Sequence, residues 1–440
     1  MVSQAGWTIA LICGISIDGM SADHKDLGNG NLSSSEIMKS PIFEPVNISS
    51  ISLRNRFIRS ATHEGMADAD GAPLEALEKL YVRLARGGVG GIVTGYAGVL
   101  QQGRCNFPGM LMMHDDQLIP AYRRLVEAVH REGVPLIMQI AHCGRQTRSA
   151  ITGMCTVAPS PIRDRYYSEE VPQALTEEGI REIIDAFVDA AARAKSAGFD
   201  GVQLHMAHGY LLAQFLSGHS NRRRDRWGGS LQNRFRIVSE IMGGIRKKLG
   251  DYPVLAKING YDGMPGGMRT DEAVKIAMML EASGCSAVEI SSGTIAEGLA
   301  IMRGPKLPMD AVLAANFKFR SIPQILKPAM ANILPVFAPS SPKPYSGYNL
   351  DASRAIRAVV SIPVIVVGGI HTLEEASRTI DGGTADFVSM SRPFIIEPSL
   401  VRKFEEGRQD ASKCTMCNYC TIMIEKEPLR CWNGRLPKRA

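Results

Sequence analysis

A (β/α)8 barrel is the fold class that this sequence predicts, and three observations carry the prediction. Amphipathic helical stretches, glycine-containing turns and short runs of β-branched and apolar residues follow one another repeatedly, the pattern of a parallel sheet. Eight such runs can be placed, and eight parallel strands favour a closed barrel over an open doubly wound sheet. Polar residues gather at the C-terminal ends of the runs, where the loops of a barrel converge.

The runs are residues Phe57–Ala61, Gly91–Thr94, Pro135–Ile140, Gly201–His205, Val254–Ile258, Ala287–Ser291, Val364–Val367 and Phe387–Met390. Their helices are written in the same grammar. Thr176 is an N-cap followed by Glu177 and Glu178, whose charges suit a helix N-terminus, and Ile180, Ile183, Ile184, Phe187, Ala191 and Ala194 make one apolar stripe ending at Gly198. Thr372 with Glu375 three residues on reads as a capping box, for a helix that runs to Gly382-Gly383. Residues 1–40 carry no sustained period and are expected to form a mobile extension; the barrel occupies 41–405, and a short cysteine-rich tail 406–440. The proline-rich stretch 293–349 is too long for one loop and forms an insertion between the sixth and seventh strands.

Composition narrows the class. With 45% hydrophobic and 21% charged residues the 440-residue chain can bury a large core. Its 50 basic and 44 acidic residues are interspersed, which argues against nucleic acid as a partner. No apolar run approaches the roughly 20 residues of a membrane span. Trp7 to Ile17 is apolar, but no Lys or Arg precedes it and no cleavage site follows, so a cytoplasmic location is expected. Of nine cysteines, four cluster near the C-terminus, which reads as one cysteine site in a reducing compartment rather than a disulfide framework.

The strand ends supply the chemistry. The first ends in Ala61-Thr62-His63, the third in Gln139-Ile140-Ala141-His142, the fourth in His205 through Tyr210, and the fifth reaches Lys257. His205 and His208, three apart, can converge on one substrate oxygen as paired hydrogen-bond donors, or bind a metal, or be satisfied structural histidines; spacing alone leaves these open. Tyr210 carries a phenol suited to general-acid work. Gly368-Gly369 after the seventh strand and Ser391-Arg392 after the eighth match the phosphate cradle often built at those positions of a barrel.

Together, Phe43-Glu44-Pro45, Leu53-Arg54-Asn55-Arg56, Gln139 through Arg145, His205 through Leu211, and Asp225-Arg226-Trp227-Gly228-Gly229-Ser230 continuing to Arg234 resemble the Old Yellow Enzyme family of NADH:flavin oxidoreductases over residues 42 to about 400. The resemblance implies an FMN-binding barrel. It places Ala61, Thr62 and Gly95 along the flavin, Gln139 at its pyrimidine edge, Lys257 facing N1 and O2, His63 near N5, and Gly368, Gly369, Ser391 and Arg392 at the phosphate. A cation at the position of Lys257 would stabilise the anionic reduced flavin. His205 and His208 match the pair that grips a carbonyl or nitro oxygen, and Tyr210 the proton donor. NAD(P)H is the implied electron donor, and His63 leans toward the 2,4-dienoyl-CoA reductase and trimethylamine dehydrogenase branches.

Cys414, Cys417, Cys420 and Cys431 form C-x2-C-x2-C-x10-C, a set of soft ligands that suits an iron–sulfur cluster or zinc. The dienoyl-CoA reductase branch carries a [4Fe-4S] cluster on a similar tail, usually with one more residue between its second and third cysteines. No glycine-rich dinucleotide fingerprint follows the barrel, which leaves three readings open: NAD(P)H reduces the flavin directly, a separate electron-transfer protein supplies electrons through the cluster, or the cysteines hold nothing and only staple the tail. The resemblance implies reduction of the C=C bond of a small α,β-unsaturated carbonyl substrate. An amine dehydrogenase or demethylase passing electrons to the cluster, or a flavin or metal-thiolate redox sensor, are the alternatives, and a homo-oligomer is compatible with each.

Overall fold

The computed structural model of the chain describes residues 40–164, 167–294, 301, 303–305, 307–334 and 345–436. The extension expected over residues 1–40 lies outside the described residues except for Ser40, as do parts of the 293–349 insertion.

Eight strands, β1 (Phe57–Arg59), β2 (Gly91–Val93), β3 (Leu136–Ala141), β4 (Gly201–Met206), β5 (Val254–Asn259), β6 (Ala287–Ser291), β7 (Val364–Val367) and β8 (Phe387–Met390), pair in parallel with their sequence neighbours. Pairing of β8 with β1 closes the barrel. Each strand is followed by a helix: α1 (Glu75–Arg86), α2 (Ile119–His130), α3 (Glu177–Ala197), α4 (Leu231–Leu249), α5 (Thr270–Ala282), α6 (Leu350–Arg357), α7 (Leu373–Asp381) and α8 (Leu400–Glu405). Every residue of β1–β6 and β8 is buried, because helices cover one face and the lumen the other.

The last three strands have the expected bounds, and the others shift at their ends for local reasons. The chain leaves β1 after Arg59, and the Thr62 hydroxyl donates to the Ser60 carbonyl at 3.0 Å, a local bond that competes with the ladder. Pro135, without an N–H, stays outside β3. The helix signals hold: Thr176 caps α3 through Gly179 N–H at 3.1 Å, its apolar stripe is buried, and Gly198 ends it with φ +96°. Thr372 and Glu375 make the reciprocal capping box of α7.

The lumen is layered. A hairpin of Val46–Ile48 and Ile51–Leu53 closes the N-terminal end, where Ile48, Ile51 and Leu53 join one inward residue from seven strands: Ile58, Val93, Ile137, Leu255, Ala287, Ile365 and Phe387. Side chains alternate along a strand, so the residue two positions further on faces the same lumen one layer up. There the lumen turns polar: Ser60, Gln139, Lys257, Glu289 and Ser389 each stand two residues beyond a member of the apolar layer. This change from oil to polar groups sets the depth of the site.

The insertion and the tail pack on each other at the opposite end. Helix Met309–Ala315 contributes Ala311 and Ala315 to a small core with Cys420, Ile422, Met423, Ile424, Leu429 and Trp432, and Tyr419 donates to Asp310 at 2.9 Å. Leu429 N–H reaches the Glu64 carbonyl at 2.8 Å, which ties the tail to the loop after β1. Among the described residues no helix is long and apolar enough to cross a membrane.

Candidate active site

The floor of the site is the polar layer. Lys257 on β5 and Glu289 on β6 are cross-strand partners, with Nζ and Oε1 3.2 Å apart. Glu289 also accepts from Ser60 at 2.7 Å, Ser389 at 2.6 Å and Gln203 at 2.8 Å, and Gln203 in turn accepts from Gln139 at 2.7 Å. Lys257 donates to Ser60 at 2.8 Å. Glu289 is not among the residues expected from the sequence: a lone acidic residue inside an apolar strand signals a buried partner without saying which.

Above the floor stand the aromatic groups. The His205 and His208 rings are 5.2 Å apart, His205 and Tyr210 4.7 Å, and Tyr96 and Tyr210 5.2 Å, with His63 stacked on Tyr96 at 5.3 Å. His205 ends β4, and Ala207 N–H donates to its Nδ1 at 3.4 Å, which leaves the proton on Nε2. The chain then turns sharply: His208 takes φ +62° and Gly209 φ +81°. A non-glycine residue in that region costs roughly 1–3 kcal/mol. His208 is held there by its N–H on Asn259 at 3.2 Å, its Nε2 beside Ser291 Oγ at 2.8 Å, and Gln146 on its carbonyl at 3.2 Å.

Burial, followed for His205 by neighbouring His208 and for both by Lys257, lowers the histidine pKa values: His205 falls well below its ordinary value and His208 to about 3. Both are therefore neutral hydrogen-bonding groups at physiological pH. Burial and the nearby Cys143 raise Tyr210 well above the ordinary phenol, so it keeps its proton. Tyr96, the residue after Gly95, and Phe107 and Tyr167 extend the aromatic wall, with His63 and Phe107 at 5.7 Å and Phe107 and Tyr167 at 5.5 Å. None of these three carried a spacing signal. Trp227 lies elsewhere, fully buried and bonded through Nε1 to Glu177.

Gly95 is a close approach that only glycine permits. A Cβ there would lie 2.0 Å from Glu64 Oε2 and 2.7 Å from the Thr62 carbonyl, and its N–H donates to Glu64 at 3.1 Å. Glu64 is fixed by Arg59 at 2.6 Å and by the Tyr81 hydroxyl at 2.6 Å, a buried ion pair behind the loop that carries Ala61 and Thr62.

The phosphate end gathers at β7 and β8. Gly368 and Gly369 have φ +123° and +76°, and a Cβ on Gly368 would meet Tyr348 at 2.5 Å. Ser391 Oγ and Thr62 Oγ1 lie 2.7 Å apart, which joins the β8 end to the β1 loop. Arg392 donates to Asn418 at 2.6 Å and to the Arg303 carbonyl at 2.7 Å, so its guanidinium also borders the tail. Arg303, from the insertion and without any sequence signal, lies over Tyr348 at 4.5 Å with its Nε buried and unpaired. Half-buried His371 stands near Arg392. Two guanidiniums and a glycine turn at one end, and a buried ammonium and carboxamide in the lumen, fit the phosphate and ring of FMN.

Cys414, Cys417, Cys420 and Cys431 line one small recess together with Arg392, Asn418 and Trp432. Among the described residues no group of three or more His, Cys, Asp and Glu side chains stands where it could hold a single metal ion. Burial raises Cys414, and raises Cys420 to about 12, so both are thiols until a ligand displaces their protons.

The chain matches the family described as NADH:flavin oxidoreductase / NADH oxidase over residues 41–305 and 324–411, which stops short of the four cysteines. It is 36% identical over 397 residues to an NADH oxidase of Thermoanaerobacter brockii, a match covering 89% of this chain and 55% of that one. A 4,4'-dithiodibutanoate disulfide reductase of Rhodococcus erythropolis is 31% identical, with 87% of this chain and 93% of the relative covered. A solved 2-naphthoyl-CoA reductase in complex with 2-naphthoyl-CoA superposes with a TM-score of 0.71 at 26% identity, over 88% of this chain and 56% of the other. The chain thus spans a little over half of two of these proteins and nearly all of the third. It belongs to the NADH:flavin oxidoreductase / NADH oxidase family, the FMN-dependent oxidoreductases that include the Old Yellow Enzyme.

Proposed function

We propose that this oxidoreductase reduces the C=C bond of an electron-poor α,β-unsaturated carbonyl substrate. The observation that carries the reading is the convergence of two neutral imidazoles, His205 buried and His208 half-buried, and one protonated phenol beside a buried ammonium, with His205 4.7 Å from Tyr210 and 5.2 Å from His208. Lys257 and Gln139 would hold the flavin ring, and Gly368, Gly369, Ser391, Arg392 and Arg303 the phosphate. FMN, when bound, supplies the hydride chemistry between NAD(P)H and the substrate β-carbon. His205 and His208 donate hydrogen bonds to the carbonyl oxygen and draw electron density toward it. Tyr210 gives its proton to the α-carbon. The wall of Tyr96, Phe107 and Tyr167 packs against the body of the substrate and excludes water.

The four tail cysteines are read as ligands of a [4Fe-4S] cluster, because four thiols lining one recess supply the soft donor set that such a cluster takes. Such a cluster beside Arg392 would accept electrons from a separate redox protein. The aromatic wall also favours a second reading, oxidation of an amine held by cation–π contact, with electrons leaving through the cluster. Anaerobic addition of an amine without NAD(P)H would then bleach the flavin. Under the first reading NAD(P)H consumption depends on enone, and the His205→Ala/His208→Ala variant loses that dependence while retaining FMN; unchanged turnover would remove the assigned role.

A further inference from the structure

We propose that Glu289 is a positioning residue that sets the reduction potential of the bound FMN, by neutralising Lys257 from the neighbouring strand and by orienting Gln139 through Gln203. The proposal rests on the reading that Lys257 and Gln139 face the pyrimidine half of the flavin.

Three features of the polar layer carry it. The first is stoichiometry of charge. Lys257 and Glu289 are neighbours across β5 and β6, 2% and 0% exposed, and 3.2 Å apart. Burial pushes the Glu289 carboxyl up, but Lys257 and the donors from Ser389, Ser60 and Gln203 outweigh it and keep the group ionised. Burial lowers the Lys257 ammonium and Glu289 opposes that shift, so with the two groups 3.2 Å apart the floor presents an ion pair rather than a bare cation. A charge held this deep is screened little by solvent salt, so its partner's presence is felt at the ring.

The second is saturation. One Glu289 oxygen accepts from Ser60 at 2.7 Å and Ser389 at 2.6 Å, and the other from Gln203 at 2.8 Å. Four donors, the ammonium included, come from β5, β8, β4 and the loop after β1, so the carboxylate fixes the floor from four directions at once. A carboxylate needed only to bury a lysine would not require that set.

The third is polarity of the amide chain. Gln203 spends an N–H on Glu289, so its carbonyl oxygen takes the N–H of Gln139 at 2.7 Å. Gln139 is thereby turned with its Oε1 left to accept. The pyrimidine edge of an isoalloxazine offers one N–H donor, N3, and Oε1 is the atom that matches it. The negative charge of Glu289 is thus relayed to the ring as the orientation of an amide two residues away in the hydrogen-bond chain.

Reduction places negative charge near N1 and O2, which Lys257 favours and Glu289 opposes. The potential of the bound flavin should follow the net charge of the pair. Spectroelectrochemical titration of the flavin-loaded protein reads this directly. Lys257→Met shifts the potential to more negative values, Glu289→Gln to more positive values, and the Lys257→Met/Glu289→Gln double variant, whose pair charge is again zero, lies close to the unaltered protein. Single replacement of either partner leaves a buried charge unpaired, whereas the double variant removes both together. If Glu289→Gln does not fold, comparison of Lys257→Met with the double variant still decides: a higher potential in the double supports the proposal, and equal potentials overturn it. An unaltered protein that binds no FMN would overturn the cofactor reading itself, while a flavin-loaded protein whose potential ignores Glu289 would overturn the proposal alone.

Discussion

The imidazole of His205 and the phenol of Tyr210 face each other edge-on, with centroids 4.7 Å apart and planes at 61°. One ring carries its proton on Nε2 and the other on Oη, so two donors of different acidity stand side by side. Under the proposed reading the histidine serves the carbonyl oxygen and the phenol the α-carbon, beyond the carbonyl carbon in the conjugated system. Tyr210→Phe should keep the hydrogen bonds to the substrate and lose the proton, slowing flavin reoxidation by an enone about 10²–10⁴-fold. Flavin reduction by NAD(P)H should be unchanged in the same variant, and stopped-flow absorbance under anaerobic conditions separates the two half-reactions.

Acid has two distinct effects. Burial first, then Lys257, lowers His208 to about 3, and burial together with His208 and Lys257 lowers His205, so enone turnover should show no histidine inflection near the ordinary value of 6.5. Stability behaves otherwise. Burial lowers His142 to about 3 and His63 to about 4, whereas in the unfolded chain both titrate near 6.5. The unfolded state then binds more protons below 6.5, so this stability is complete above that pH and is lost as the pH falls toward 3 to 4. Thermal melts from neutral pH downward should decline through that window, and His142→Asn should make the decline shallower.

Iron analysis after anaerobic purification should find about four irons per chain if the recess holds the cluster. Cys417→Ser should lose them and keep the flavin, since Gln139, Lys257 and Gly368 lie on the barrel rather than on the tail. Zinc at one per chain with no visible iron–sulfur absorbance would replace the cluster reading.

The N-terminal end of the lumen is stability, not chemistry. Leu53 is 1% exposed in the apolar plug, and Leu53→Ala should cost about 2–5 kcal/mol in urea unfolding. The turnover of the protein that remains folded should be that of the unaltered enzyme.

Much of this was legible in the residues. Period and caps located the eight barrel strands and the Thr176 and Thr372 helix starts, because those signals act within a few residues of the chain, whereas the short hairpin of Val46–Ile48 and Ile51–Leu53 has too few residues to show a period. Motif positions brought out His205, His208, Tyr210 and Lys257, which the fold gathers at one end of the barrel. Glu289 was hidden because its partners Lys257, Ser60 and Ser389 are 32 or more positions away and only barrel closure brings them together. Arg303 was hidden because a proline-rich insertion has no period to place it, and Tyr96 because one aromatic residue in a loop is indistinguishable from packing. Arg392 was read as a phosphate ligand alone; the fold also joins it to Asn418 in the tail, a contact that no local pattern could announce.

The most direct measurement is an anaerobic absorbance titration of the purified protein, first with NADH or NADPH and then with a simple enone. Flavin absorbance that bleaches with the nicotinamide and returns in proportion to added enone is the expected result. A bound flavin that nicotinamide bleaches but no enone restores would contradict the role given to His205, His208 and Tyr210.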